Sequence, residues 1–351
     1  MPRFDLPAEE LRSYRPEVAE PADFDDFWEQ TLEESRALAQ PIELRRIDSP
    51  LQSVEVYDVT FSGFGGDPIG GWLLLPADTD EPLPAVVEFN GYGGGRGLPH
   101  ERLGWAASGY AYFLMDTRGQ GSGWGTGGVT ADPHGSGPAV SGYMTRGIES
   151  PHDYYYRRVF TDAVLAIDAI RSLDRIDAAR VAICGGSQGG GIAIAAAGLS
   201  NGLVAAMPDV PFLCHFERAV GMTGNDPYNE IVKYLAVHRD ASATVFETLS
   251  YFDGVNFAKR ATAPTLFSVA LLDPVCPPST VYAAYNRWGG TSEIIDYPFN
   301  EHEGGQGLHW EKQARSSPSS SRGEERRSPV TGGVGDNWGR ERQAARARFR
   351  R

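Results

Sequence analysis

A serine flanked by glycines, Gly185-Gly186-Ser187-Gln188-Gly189, follows directly on the apolar run Val181-Ala182-Ile183-Cys184. The segment then passes into the small-residue stretch Gly190-Gly191-Ile192-Ala193-Ile194-Ala195-Ala196-Ala197. A buried-type strand that ends in G-x-S-x-G and turns at once into a helix has the form of a nucleophile elbow. The turn strains the serine backbone, and side chains at the flanking positions would collide across so tight a corner. The helix N-terminus beneath the serine presents backbone N–H groups to a developing oxyanion. The competing reading is a glycine-rich turn without chemistry, and two downstream residues weigh against it.

A serine hydroxyl attacks poorly until a positioned base removes its proton. The partners of an elbow serine follow in the order acid, then histidine. Ala263–Leu272 reads as a buried strand with Asp273 at its carboxyl end, and Glu293–Tyr297 leads through Pro298-Phe299-Asn300-Glu301 to His302. Both residues fall on loops at the carboxyl edge of expected parallel strands, where open α/β sheets place their sites. Ser187 is therefore expected as nucleophile, His302 as general base and acid, and Asp273 as the carboxylate that orients His302. Of the seven histidines, His309 is the nearest competitor, but no strand leads into it. Asp296, inside the last strand, reads as structural.

The second oxyanion donor should come from the loop after an earlier strand. Leu83–Phe89 is that strand, and Asn90-Gly91-Tyr92-Gly93-Gly94-Gly95 is the loop. Glycines there let backbone approach a bound carbonyl, so the N–H groups of Tyr92 and Gln188 are expected to point at the oxyanion. A flexible surface loop or a phosphate cradle would use the same residues, but no G-K-[ST] follows.

The elements that must hold these loops are legible in outline. Residues 21–38 form an amphipathic helix with Phe24, Phe27, Trp28 and Leu32 at helical spacing, expected to face the core. Val54–Phe61 and Ile69–Leu75 read as antiparallel entry strands, Tyr110–Asp116 as a further sheet strand, and Phe160–Leu173 as a helix on the sheet face. Residues 121–150 are glycine-rich and irregular, placed to cover the site or to meet another subunit. Residues 210–255 read as a helical excursion before the strand that carries the acid. Phe212 and Tyr228 are candidate pocket walls there, or ordinary cap packing. The fold class is α/β, with a mostly parallel central sheet flanked by helices.

These motifs resemble one family: the carbohydrate esterases that include acetyl xylan esterase and cephalosporin C deacetylase. The likeness runs over roughly residues 1–306. It takes in Phe4-Asp5-Leu6-Pro7, Tyr14-Arg15-Pro16, Asp23–Trp28, Asn90–Gly94, Arg118-Gly119-Gln120, the elbow, Asp226-Pro227-Tyr228, Asp273–Val281 and His302-Glu303. The resemblance implies an α/β-hydrolase fold with an N-terminal helical extension over about residues 1–45. It implies a serine esterase that removes acetyl groups from small xylo-oligosaccharides and cephalosporin C, with no cofactor and no metal. Ser187, Asp273 and His302 would be the triad, with Tyr92 and Gln188 at the oxyanion hole. Arg118 and Gln120 would brace the site. Pro227 and Val275 would limit the acyl pocket to acetyl or little more. Assembly into a homohexamer is implied as well. A broad short-chain carboxylesterase, a serine peptidase and a non-catalytic scaffold are the alternatives.

Composition agrees with an esterase domain over residues 1–311. A chain of 351 residues with 41% hydrophobic content can bury one large core. Three cysteines, Cys184, Cys214 and Cys276, argue against a disulfide framework. No apolar stretch is long enough to span a bilayer, so a cytoplasmic protein is expected, with no membrane partner. With a net charge of −14, no nucleic acid is expected as a partner of the folded body. Residues 312–351 differ in kind, with 11 basic and 4 acidic side chains against 21 and 42 in the rest. This Arg/Ser-rich stretch is expected to be a disordered tail, and of the amphipathic closing helix that the family would place there only Trp310 to Ala314 hints at a start.

Overall fold

The computed structural model describes residues 4–317. Nine strands form one sheet: β1 (Glu43–Arg46), β2 (Val54–Ser62), β3 (Pro68–Pro76), β4 (Leu83–Phe89), β5 (Ala111–Met115), β6 (Ile176–Gly186), β7 (Ala205–Asp209), β8 (Thr265–Ala270) and β9 (Ser292–Tyr297). Their spatial order is β1-β2-β3-β5-β4-β6-β7-β8-β9. The pairs from β1 through β3 to β5 are antiparallel, and those among β5, β4, β6, β7, β8 and β9 are parallel. From β4 the chain steps one way to β5, then returns past β4 to β6. The order therefore reverses between β4 and β6, the point where an open parallel sheet forms a crevice at its carboxyl edge. The loops after β4 and β6 carry Tyr92 and Ser187.

Alternating side chains put two apolar layers on the sheet. One face carries Val87, Phe89, Phe113, Met115, Val181 and Ile183 under the helices Phe24–Ala37, Tyr155–Arg171 and Gln188–Leu199. The other carries Val86, Tyr112, Leu114, Ala182, Cys184 and Met207. Helix Phe24–Ala37 buries Phe24, Phe27, Trp28 and Leu32, as its spacing predicts. Its Trp28 indole N–H donates to the Tyr251 carbonyl at 3.0 Å, pinning the N-terminal segment to the excursion. The excursion lies between β7 and β8 and contains the helices Phe216–Met222, Tyr228–Val237 and Ser242–Ser250.

Three differences from the sequence reading stand out. The N-terminal segment is not wholly helical, since Glu43–Arg46 adds an edge strand. β7 was not anticipated; five residues carrying a proline, Ala205-Ala206-Met207-Pro208-Asp209, give little periodic signal. The expected tail does not begin at 312, because a helix runs over Gln306–Ser316. Trp310 and Ala314 pack on the second apolar layer, with the Trp310 ring 5.7 Å from that of Trp105, and the Gln313 amide donates to the Met207 carbonyl at 3.3 Å. Its polar composition leaves little signal beyond Trp310 to Ala314, because few of its positions, the buried His309 among them, face the protein. The rest of the expected tail, 318–351, lies outside the described residues. Among the described residues, no helix is long and apolar enough to cross a membrane, and all three cysteines are free and buried.

Candidate active site

Ser187 leaves β6 at φ 54° and ψ −117°, a conformation that a residue with a Cβ adopts only under constraint. The constraint is visible. The Ser187 N–H donates to the Asp209 carbonyl at 2.9 Å, and its own carbonyl accepts from Phe212 at 2.9 Å and Gly191 at 3.1 Å. A Cβ on Gly189 would overlap the Phe89 carbonyl oxygen at the end of β4, and one on Gly185 would overlap Gly189. These two glycines let the elbow close against β4.

The hydroxyl of Ser187 lies 2.9 Å from His302 Nε2, and His302 Nδ1 lies 2.8 Å from Asp273 Oδ2. The other carboxylate oxygen of Asp273 accepts the backbone N–H groups of Val275 (2.8 Å) and Cys276 (2.9 Å). The Asp273 side chain is 1% exposed and that of His302 31%, so the acid is sealed while the base meets the crevice. Asp273, Cys276 and His302 bring metal-ligand atoms within 4.8 Å of one another. Both oxygens of Asp273 and both nitrogens of His302 are nonetheless engaged in the bonds just described, so the arrangement reads as a proton-transfer chain.

Tyr92 and Gln188 stand just beyond the ends of β4 and β6, where Phe89 pairs in register with Gly185. Among the described residues, the backbone N–H of neither donates to a protein acceptor. Their side chains do other work. Gln120 Oε1 accepts the Gly93 N–H at 2.7 Å, and Gln120 Nε2 donates to Gln188 Oε1 at 2.9 Å and to the Tyr155 hydroxyl at 3.0 Å. Gln188 Nε2 donates to the Asn90 carbonyl at 3.1 Å. One buried amide network thus fixes both loops. Arg118 lies deeper and touches no reacting group. It is fully buried, with Asp162 bound at 2.6 and 2.8 Å and Asp67 at 2.8 Å.

Pro227 is buried and Val275 partly exposed, on loops joined where Thr223 and Asn225 bond the Pro274 carbonyl. Phe212 and Tyr228 are corrected as walls. Neither exposes any surface, their rings meet at 4.3 Å, and the Tyr228 hydroxyl is spent on the Cys214 backbone. They back the site from within. Asp296 bonds Arg12 and the Tyr282 hydroxyl, a structural role. His309 is buried beneath the site, its Nε2 4.0 Å from Asp209 and its Nδ1 3.2 Å from the Tyr297 hydroxyl. Burial pushes the His309 imidazole below its ordinary value, against the pull of the Asp209 carboxylate.

Sequence reasoning missed Glu230. Its carboxylate accepts the Tyr92 hydroxyl at 2.7 and 2.8 Å and the N–H groups of Gly142 and Met144 at 3.1 Å each. One side chain therefore ties the loop after β4, the irregular 121–150 segment and the excursion together. Burial, and then the charge of Glu230, raise the Tyr92 phenol well above its ordinary range, so it remains a donor. No local pattern marks Glu230, which is 138 residues from Tyr92.

Comparison with known proteins identifies the family. The acetyl xylan esterase (AXE1) family model matches residues 1–317. An acetyl xylan esterase from Paenibacillus sp. R4 is 41% identical with a TM-score of 0.82, covering 88% of this chain and 98% of its own. Acetyl xylan esterase 1 from Thermoanaerobacterium sp. JW/SL YS485 is 32% identical with a TM-score of 0.81 over the same shares. The acetyl esterase Axe7A of Xylanibacter ruminicola is 27% identical over 310 residues; the match takes in 82% of this chain but 65% of that longer protein. With its α/β-hydrolase sheet and these matches, the chain belongs to the acetyl xylan esterase family, a family of carboxylic ester hydrolases.

Proposed function

We propose that this protein is a serine esterase that removes acetyl groups from small acetylated saccharides through an acetyl-enzyme. The observation that carries the reading is the unbroken hydrogen-bond chain from Ser187 through His302 to Asp273. His302 Nε2 takes the hydroxyl proton as Ser187 Oγ bonds the ester carbonyl carbon. The oxyanion that forms is met by the N–H groups of Tyr92 and Gln188. Collapse breaks the bond to the sugar oxygen, which leaves with the proton from His302. Water, deprotonated by His302, then attacks acetyl-Ser187 and releases acetate and free serine. The family resemblance extends the reading to the acetyl group of cephalosporin C, to a cytoplasmic location and to hexameric assembly.

Pro227 and Val275 are assigned as the boundary of the acyl pocket. On p-nitrophenyl esters, kcat/KM for acetate should exceed that for butyrate by at least about 10²-fold, with octanoate inert, because excess length in a closed pocket is refused sterically. Comparable rates on octanoate would make the protein a general carboxylesterase instead.

Gln120 is assigned as a brace for both oxyanion donors. Gln120→Ala should lower kcat on p-nitrophenyl acetate by about 10²-fold with little change in KM, since a small misplacement of catalytic groups has that cost. Steady-state kinetics on the folded variant checks this. A rise in KM alone would mean that Gln120 serves binding.

A further inference from the structure

The glycine run after β4 does more than admit a carbonyl: it receives an indole. Trp124 lies on the irregular segment that follows β5, and the N–H of its neighbour Gly123 donates to the Gly93 carbonyl at 2.9 Å. The Trp124 indole N–H donates to the carbonyl of Tyr92 at 2.7 Å. A Cβ on Gly94 would overlap the indole, with Cε2 and Cη2 both at 2.8 Å, and one on Gly91 would meet it at 3.3 Å. That same Gly91 Cβ position lies 3.9 Å from the carbonyl oxygen of Gly186, the residue before the nucleophile. Backbone without side chains thus lets the ring seat on the loop, at the edge of the elbow. Yet Trp124 stays 50% exposed.

A tryptophan packed on the glycine loop, locked by a hydrogen bond and half exposed offers a rigid aromatic surface to a ligand. It suits a ligand that presents a flat, weakly hydrated, electropositive face. The C–H face of a pyranose ring is such a surface, and the π-cloud of indole is its electrostatic complement. Because the ring is already fixed, stacking costs little further ordering.

We propose that the exposed face of Trp124 is a saccharide platform, on which the sugar ring of an acetylated substrate stacks so that its ester reaches Ser187. The inference rests on the deacetylase reading and adds the residue that selects a sugar over other acetyl esters.

The test compares β-D-xylopyranose tetraacetate with ethyl acetate, which has no ring. Trp124→Ala should lower the ratio of the two kcat/KM values roughly 10- to 100-fold, mainly through KM for the sugar ester. Trp124→Phe keeps an aromatic face but not the N–H bond to Tyr92, and should retain most of that ratio. If Trp124→Ala slows both esters equally, the indole only props the Tyr92 loop and the platform is overturned. A second readout needs no turnover. In ¹⁵N-indole spectra of Ser187→Ala, the Trp124 resonance should shift on titration with the tetraacetate; an unmoved resonance at saturation also overturns the platform. Wild-type protein that hydrolyses ethyl acetate but leaves the tetraacetate intact would instead refute the deacetylase reading, with the indole titration still deciding the platform by itself.

Discussion

Ser187→Ala is expected to lower kcat on acetyl esters by a factor on the order of 10⁶, and Asp273→Asn by about 10⁴. The serine supplies an oxygen placed to attack with a base at 2.9 Å, so its loss leaves what binding and the oxyanion donors can do. Asparagine acts differently. The Val275 and Cys276 N–H groups require an acceptor at the Oδ1 position. The amide NH₂ must therefore occupy the Oδ2 position and donate to His302 Nδ1. That forces the imidazole proton onto Nε2, where it can no longer accept from Ser187. Both variants should melt near the wild-type temperature. The serine hydroxyl is not part of the backbone bonds that hold the elbow, and asparagine nearly matches aspartate in shape. Active-site titration and single-turnover kinetics measure both effects. Ser187→Ala with more than about 1% of wild-type kcat would sink the nucleophile assignment.

Arg118→Met should destabilise the fold by roughly 3–5 kcal/mol, seen in calorimetry as a drop in Tm on the order of 10 °C. The guanidinium is fully buried between Asp162, Asp67 and Asp132, and Arg158 also holds Asp132 at 2.9 Å. Burial alone would depress the Arg118 pKa, but the three carboxylates outweigh it and keep the group charged. Methionine fills the volume but leaves the buried Asp162 carboxylate without its cation. The double variant Arg118→Met/Asp162→Leu should regain part of the loss, since removing both charges removes the desolvation cost as well. An unchanged Tm in the single variant would mean that water already shares those carboxylates. Activity should suffer too, because the Arg118 carbonyl accepts from the Tyr155 hydroxyl, which in turn accepts from Gln120.

The Ser187, His302 and Asp273 cluster, the loops after β4 and β6 and the excursion were legible because each is announced locally. A strand signal ends in a glycine turn at Ser187, and further strand signals lead to Asp273 and, through a short loop, to His302. Strand-end residues of a parallel sheet share one edge whatever their separation along the chain, so order and placement were enough to bring them together. Helix Gln306–Ser316 showed in the sequence only as a hint over Trp310 to Ala314, because a short polar helix has little signal of its own and is held by Trp310 and Gln313 against the sheet. For Phe212 and Tyr228 the sequence left pocket wall and cap packing both open, since an aromatic in a cap gives no sign of which way it faces, and burial decides for packing.

The chain's sequence by itself determined the α/β class and the placing of Ser187, Asp273 and His302 at strand ends on one edge of the sheet, because strand order, turn glycines and residue type are local signals. Only the tertiary structure decided how those groups are held and what the mouth of the site presents. Glu230 on Tyr92, Gln120 between two loops and the indole of Trp124 over Gly94 are contacts between segments 27 to 138 residues apart. Such contacts depend on side-chain directions set by packing across the whole sheet, and no local spacing encodes them.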